Sequence, residues 1–239
     1  MQADLMQYLK EIDDSDYGKN HRQRFIESYN FIAPILMAKL DKKYLDLASY
    51  GHFQKLLKKL FPMVDVECSE YFDLRYKFPI PDNTYDVIFF MEALEHLKDR
   101  DSEHPKDSQL YLDDISGYSQ NGVKNCMKEI YRILKPGGIL FMTTPNINSW
   151  TAVNRTLMLY SPTFYIPHVK EFSVQEIYEL HRDASLRVVK IETPENCHGL
   201  QSVQANRPRL QKLIDACVGA GYSPELRGDC IFTLGMKHQ

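Results

Sequence analysis

Short apolar runs alternate with amphipathic helical segments along most of the chain, and this alternation restricts the fold more than any other feature. Apolar runs bounded by turn residues predict strands, and apolar residues at helical spacing predict helices. The predicted strands are 44–47, 64–68, 85–90, 138–144, 186–192 and 230–236, and the predicted helices are 51–60, 124–134, 173–182 and 207–220. Such alternation predicts an open α/β sheet that is mostly parallel. The last two strands are joined by a long helical excursion, which predicts an antiparallel edge.

The turn after the first predicted strand is where a sheet of this kind would bind a ligand. Asp46 ends the strand and Gly51 precedes the next helix. Ligands of open α/β sheets bind at the carboxyl ends of the strands, so Asp46 is predicted to contact a bound group. The alternative is a polar residue that only caps the strand end. The residues between, Ala48-Ser49-Tyr50, lack the glycines that let a backbone approach a ligand closely.

Two further segments set the predicted domain organisation. Residues 1–40 are predicted to form a helical segment packed on the core. It would consist of a short helix within residues 1–20 and, over residues 21–40, one helix or, if Pro34 breaks it, a pair. Residues 41–239 are predicted to form the main domain. The charged stretch 99–122, with its proline and glycines, is predicted to be a surface insertion or lid of that domain.

Composition excludes several classes of protein. The chain has 29 basic and 32 acidic residues, and this balance argues against affinity for nucleic acid through phosphate neutralisation. Its five cysteines are scattered without a Cys-x-x-Cys pair, so neither a zinc site nor a disulfide framework is expected. The acidic N-terminus is unlike a signal peptide, and no run approaches the roughly 20 apolar residues of a membrane span. We therefore expect a cytoplasmic protein that binds neither nucleic acid nor membrane.

Three longer phrases occur in an order that points to one family. They are FPIPDNTYDVIFFMEALEHLKD at 78–99, MKEIYRILKPGGILFMTTPN at 127–146 and HVKEFSVQEIYELHRDASLRVVKIET at 168–193. Together with the ending RGDCIFTLGMK, they resemble class I S-adenosylmethionine-dependent methyltransferases, in particular those that act on small molecules and sugars. The resemblance covers roughly residues 40–237 and implies a Rossmann-like α/β fold with S-adenosylmethionine as cofactor.

The resemblance also implies a set of site residues. On the cofactor side it implies Asp46, Ala48, Gly51, Glu67, Glu70, Asp73, Leu74, Met91 and Glu92, with Glu67 and Glu70 as alternative ligands of the ribose. On the acceptor side it implies Tyr160, Tyr165 and His168. His96 would be the general base, because an imidazole titrates near neutral pH, although a structural histidine that orders its loop is the alternative. No metal site is expected, since the phrase Glu-Ala-Leu-Glu-His lacks the His-Glu-x-x-His pattern.

The sequence departs from the family pattern in two places. The family loop has the form D-x-G-x-G-x-G, and in an ungapped alignment Ala48 and Tyr50 replace its first two glycines. With a one-residue deletion, which fits better, Gly51 matches the last glycine and the loop is shorter. In addition, Asp46 and Asp86 are only 40 positions apart. The family places two helices and two strands in that interval, which do not fit with connections of about 4–6 residues. We therefore predict that one middle helix–strand unit is missing.

Two functions are consistent with these observations. The first is methyl transfer from S-adenosylmethionine to a hydroxyl of a small polar acceptor such as a sugar or secondary metabolite. The second is a methyltransferase-fold protein that has lost transfer and serves as a partner or regulatory subunit, or binds another ligand. The altered loop favours the second, whereas Asp46, Gly51 and the Glu-His phrase favour the first. For the assembly we allow for a homodimer.

Overall fold

The computed structural model describes residues 16–38, 42–47, 52–61, 64–69, 72–99, 121–195 and 207–238. The strands are β1 (Lys43–Leu47), β2 (Asp65–Cys68), β3 (Tyr85–Met91), β4 (Leu134–Pro145), β5 (Leu186–Glu192) and β6 (Cys230–Lys237). The helices are α1 (Asp16–Ala38), α2 (His52–Leu60), α3 (Asn121–Ile133), α4 (Trp150–Leu157), α5 (Val174–Asp183) and α6 (Arg207–Gly219). The loop residues 48–51 and most of the predicted insertion, 100–120, lie outside the described residues.

The described strands form one mixed sheet in the order β2-β1-β3-β4-β6-β5. The pairs β1–β2, β1–β3 and β3–β4 are parallel. Strand β6 inserts between β4 and β5 and is antiparallel to both. The predicted α/β class and antiparallel edge are therefore confirmed. Because β1, β3 and β4 are parallel, their carboxyl ends lie at the same edge of the sheet, which places Asp46 and the residues after Met91 side by side.

Strand β2 is the outermost strand on this side of the described sheet, in agreement with the missing unit predicted from the short interval between Asp46 and Asp86. Between β2 and β3, the described residues 69 and 72–84 form neither a helix nor a strand. They cross one face of the sheet as turns, with Phe78 buried against it and Arg132 of α3 donating to the carbonyl oxygens of Phe78 and Ile80. The middle helix–strand unit is therefore absent from this described stretch.

Apolar packing on both faces of the sheet forms the core. Phe89 and Phe90 are neighbours on β3, point to opposite faces and are both fully buried. The Phe89 face packs against α1 and α2, and the Phe90 face packs against α3 and α5. The N-terminal helix is thus part of the core. The division of the chain near residue 40 stays a prediction.

Two local features differ from the expectation or refine it. Pro34 lies inside a single helix, α1, and does not divide it into two. The aromatic stretch after β4 contains a helix that was not predicted, α4. Ser149 caps this helix by accepting a hydrogen bond from the backbone nitrogen of Ala152 at 3.0 Å. Eight residues give too short an apolar pattern for the sequence to reveal this helix.

Candidate active site

The candidate active site begins where β3 ends. Met91 is buried at the last position of the strand, and Glu92 follows it with a positive φ of 50°. The backbone nitrogen of Glu92 still donates to the carbonyl oxygen of Thr143 on β4, at 2.9 Å. A short 3-10 turn at Leu94–His96 comes next. This tight path holds the phrase Glu-Ala-Leu-Glu-His against the carboxyl edge of the sheet.

Glu92 is held by groups from three separate elements. Its Oε1 atom accepts from the Thr143 hydroxyl at 2.9 Å and from Sγ of Cys230 at 3.2 Å. Its Oε2 atom pairs with the guanidinium of Arg24, on α1, at 3.1 Å. The side chains of Arg24 and Glu92 are 4% and 11% exposed, so this ion pair is largely shielded from water. It fixes the N-terminal helix to the edge that carries the site.

Glu95 is a buried carboxyl group next to that edge. The residue is 1% exposed, and its Oε2 atom accepts from the Thr144 hydroxyl at 2.9 Å. Consecutive residues of β4, Thr143 and Thr144, therefore hold Glu92 and Glu95. Burial, together with the nearby Glu92 carboxylate, raises the pKa of Glu95 well above its ordinary value. Among the described residues, the Oε1 atom of Glu95 has no hydrogen-bond partner.

The segment before α5 brings a second imidazole to His96. The backbone nitrogen of Val169 donates to the carbonyl oxygen of Glu95 at 2.8 Å, which ties this segment to the 3-10 turn. Ring centres of His96 and His168 are 4.7 Å apart, and those of His96 and Tyr165 are 6.4 Å apart. His96 retains solvent exposure, but desolvation and, secondly, the His168 ring lower its pKa to about 4. The His96 ring is therefore neutral at pH 7.

His168 is oriented by a buried carboxylate. Its Nδ1 atom lies 2.6 Å from Oε1 of Glu171, whose side chain is completely buried. The same oxygen accepts from the backbone nitrogen of Phe164 at 2.6 Å. Since a carboxylate can only accept, the proton of a neutral His168 is placed on Nδ1, and Nε2 carries the lone pair.

On the cofactor side, Asp46 is the best defined residue. It is fully buried at the carboxyl end of β1, and its Oδ2 atom accepts from the backbone nitrogen of Gln54 in the first turn of α2, at 3.1 Å. Register places Asp46 opposite Phe89 of β3, two residues before Met91. Asp46 and Glu92 thus lie at the carboxyl ends of adjacent parallel strands, and Arg24 compensates the charge of Glu92. S-adenosylmethionine carries a positive sulfonium and amino group, so the buried carboxylate of Asp46 fits the expected cofactor.

The remaining predicted residues fall in four groups. Glu67 is held by the Tyr85 hydroxyl at 2.5 Å and by Lys43 at 2.9 Å, which are the first residues of β3 and β1. Asp73 is exposed and paired with Arg75, and Tyr160 is 61% exposed. Ala48, Gly51 and Glu70 lie outside the described residues. Leu74 packs at the margin of the Phe90-side core.

Sequence reasoning missed several residues that hold the site, among them Arg24, Thr144 and Glu171. Arg24 and Thr144 act through contacts with distant residues, for which a single sequence carries no local signal. Glu171 stands three residues after His168 in the quoted phrase H-V-K-E-F, and this spacing was the available hint of the pair.

Comparisons with known proteins agree with the fold. A family model for the methyltransferase domain matches residues 17–191. A S-adenosylmethionine-dependent methyltransferase of Archaeoglobus fulgidus shares the fold with a TM-score of 0.53 at 14% identity, over 93% of this chain and 100% of that one. A protein of Galdieria sulphuraria, proposed to be a sarcosine dimethylglycine methyltransferase, gives 0.52 at 14% identity, over 95% and 90%. No curated protein sequence matches the chain significantly.

The described helices include none that is both long and apolar enough to cross a membrane. The cytoplasmic location stays a prediction. The methyltransferase model spans well over half of the sequence, and the sheet, the cofactor-side carboxylates and the shared fold agree with it. The chain therefore belongs to the class I S-adenosylmethionine-dependent methyltransferases.

Proposed function

We propose that the protein transfers the methyl group of S-adenosylmethionine to a hydroxyl oxygen of a small polar acceptor such as a sugar or secondary metabolite. The observation that carries this proposal is the imidazole pair at the carboxyl edge of the sheet. His96 lies in the turn that follows the strand ending at Met91, and its ring centre is 4.7 Å from that of His168, in the segment before α5. Neutral imidazoles can accept hydrogen bonds from hydroxyl groups, which suits an oxygen acceptor better than an ammonium group.

The chemistry requires the acceptor to lose a proton. When bound, S-adenosylmethionine supplies an activated methyl group: the acceptor oxygen bonds to its carbon as the carbon–sulfur bond breaks, and the electron pair stays on sulfur. The protein aligns the acceptor and helps to remove the hydroxyl proton. We propose His96 as the catalytic residue for this step. It lies in the turn after β3, and we expect the cofactor to bind at the carboxyl end of that strand.

On the cofactor side we propose contacts from the loop that contains Ala48 and Gly51, from Asp46, and from Met91 and Glu92. For the ribose we propose Glu70, because the Glu67 carboxylate is already bound by Tyr85 and Lys43. Asp73 and Leu74 remain the proposed adenine contacts. On the acceptor side, the rings of Tyr165 and His168 border His96. Tyr160 is 61% exposed and remains a proposed acceptor contact.

The test is product formation by the purified full-length chain. It would be incubated with S-adenosylmethionine and a panel of sugars, phenols and amines, and S-adenosylhomocysteine would be quantified by chromatography. We expect turnover with hydroxylated acceptors and a loss of about 10²–10⁴-fold in rate for His96→Ala. His238→Ala, which alters an exposed histidine after β6, is the matched control and should keep full activity. Turnover only with amines would contradict the proposal.

A further inference from the structure

The described residues contain one cluster of side chains with the composition of a metal centre. One ligand atom each from Glu95, His96 and His168 lies within 4.8 Å of the other two. A divalent cation with bonds of about 2.0–2.2 Å holds its ligand atoms roughly 3–4 Å apart. Side-chain rotations that move each ligand atom by about 1 Å would bring the three atoms to this spacing. Two imidazoles and one carboxylate form a known ligand set for catalytic zinc and related cations.

The buried carboxyl group of Glu95 gives an independent indication that a ligand binds here. Thr144 satisfies the Oε2 atom of Glu95, but the described part of the chain offers no hydrogen-bond partner to Oε1. The residue is 1% exposed, so bulk solvent does not reach this oxygen. A polar oxygen in that position costs free energy unless another group binds it. A cation placed between Oε1 and the two imidazoles would satisfy it.

The surroundings of His168 have the form that metal-binding histidines require. Glu171 holds Nδ1 at 2.6 Å, and this leaves the lone pair of Nε2 available as a ligand. Carboxylates that accept from the second ring nitrogen orient metal-binding histidines and increase their basicity. Glu171 is itself fixed by the backbone nitrogen of Phe164. Likewise, the Thr144 hydroxyl fixes Glu95, so two of the three ligands are held before any cation binds.

We propose that Glu95, His96 and His168 bind a first-row divalent cation, and that the acceptor's hydroxyl binds to this cation. This deepens the proposed function and rests on it. Three protein ligands leave coordination positions open, which suits acceptors with two neighbouring oxygens, such as a vicinal diol or a catechol. With the cation bound, the ring of His96 serves as a ligand, and the hydroxyl loses its proton to solvent because the cation lowers the hydroxyl pKa. The direct base role of His96 then applies only to the cation-free protein.

Manganese is the probe for the test, because thiolates of the five cysteines compete less for Mn²⁺ than for Zn²⁺. The full chain would be stripped with EDTA, dialysed and titrated with Mn²⁺, with free Mn²⁺ followed by electron paramagnetic resonance. We expect one site per chain with a micromolar Kd. Glu95→Gln and His168→Ala should each weaken binding at least tenfold. Glu171→Gln, which alters only the orienting carboxylate, should weaken it about 10–100-fold.

His238→Ala is the control and should bind as the parent chain does. Thermal unfolding followed by circular dichroism would confirm that each variant is folded. If a ligand variant does not fold, Glu171→Gln still tests the site, because it leaves all three ligands in place. Absence of binding at 1 mM Mn²⁺, or equal binding by all variants, would overturn the proposed site. Methyl transfer that persists undiminished after EDTA treatment would also overturn it and leave the proposed function intact. Manganese binding at the three residues without turnover of any acceptor would instead refute the function and keep the site.

Discussion

Replacing Arg24 tests how firmly the N-terminal helix is fixed to the active-site edge. The guanidinium lies 3.1 Å from Oε2 of Glu92, with both side chains at most 11% exposed. At an effective dielectric constant of about 20, the attraction at this distance is about 5 kcal/mol before desolvation is subtracted. Removing one partner of a buried pair typically costs about 3–5 kcal/mol. Thr143 and Cys230 still bind Glu92, so we expect Arg24→Met to lower the free energy of unfolding by about 3 kcal/mol.

Urea unfolding followed by circular dichroism measures this change in the free energy of unfolding. Two further variants show whether it arises from the buried ion pair. The surface variant Arg182→Met removes an ion pair that is 69% exposed on the arginine side, so it should cost less than about 1 kcal/mol. Adding Glu92→Gln to Arg24→Met removes the uncompensated charge and should recover at least half of the loss. The reasoning is refuted if Arg24→Met costs no more than Arg182→Met, or if the second substitution recovers nothing.

Three smaller predictions concern local structure. Ser173 and Glu176 form a capping box at the start of α5, so Ser173→Ala should cost about 1 kcal/mol in thermal unfolding, whereas Ser173→Thr should cost less. Burial lowers the pKa of His181 to about 4, so the unfolded chain binds the proton more readily, and stability should fall as pH drops from about 6.5 towards 4. This contribution, at most about 3 kcal/mol, should be absent from the pH profile of His181→Gln, and an unchanged profile would contradict it. A Cβ atom at Gly228 would lie 1.9 Å from the carbonyl oxygen of Thr193, so Gly228→Ala should unfold well below the parent temperature, which calorimetry would measure.

The sheet was predictable because its strands are marked by local apolar runs. Every predicted strand and helix named above is present, and the buried run at 85–90 lies between two parallel neighbours, as a central strand does. The missing helix–strand unit was predictable from the interval between Asp46 and Asp86, because 40 positions cannot hold the four elements of the family pattern and their connections. The first inference needs only the local apolar pattern, and the second needs the chain length and the family pattern.

The site was predictable only in part, because its contacts join distant segments. The sequence indicated His96 and His168 separately, but their 4.7 Å approach depends on Val169 pairing with the backbone of Glu95. The ion pair of Glu92 joins residues 68 positions apart, for which a single sequence gives no signal. The length of the chain between Asp46 and Asp86 predicted that a helix–strand unit is missing, whereas the composition of residues 48–51 could not establish their path. The cofactor contacts of Ala48 and Gly51 therefore stay a prediction.

Calorimetric titration of the full chain with S-adenosylmethionine and S-adenosylhomocysteine tests the central claim most directly. We expect one site per chain with a micromolar Kd, and at a hundredfold excess over Kd a stabilisation of about 2.7 kcal/mol in thermal unfolding. Asp46→Asn should weaken binding, because it removes the negative charge at the carboxyl end of β1. Absence of both heat and thermal stabilisation at millimolar ligand would contradict the account and favour a methyltransferase-fold protein that no longer transfers methyl groups.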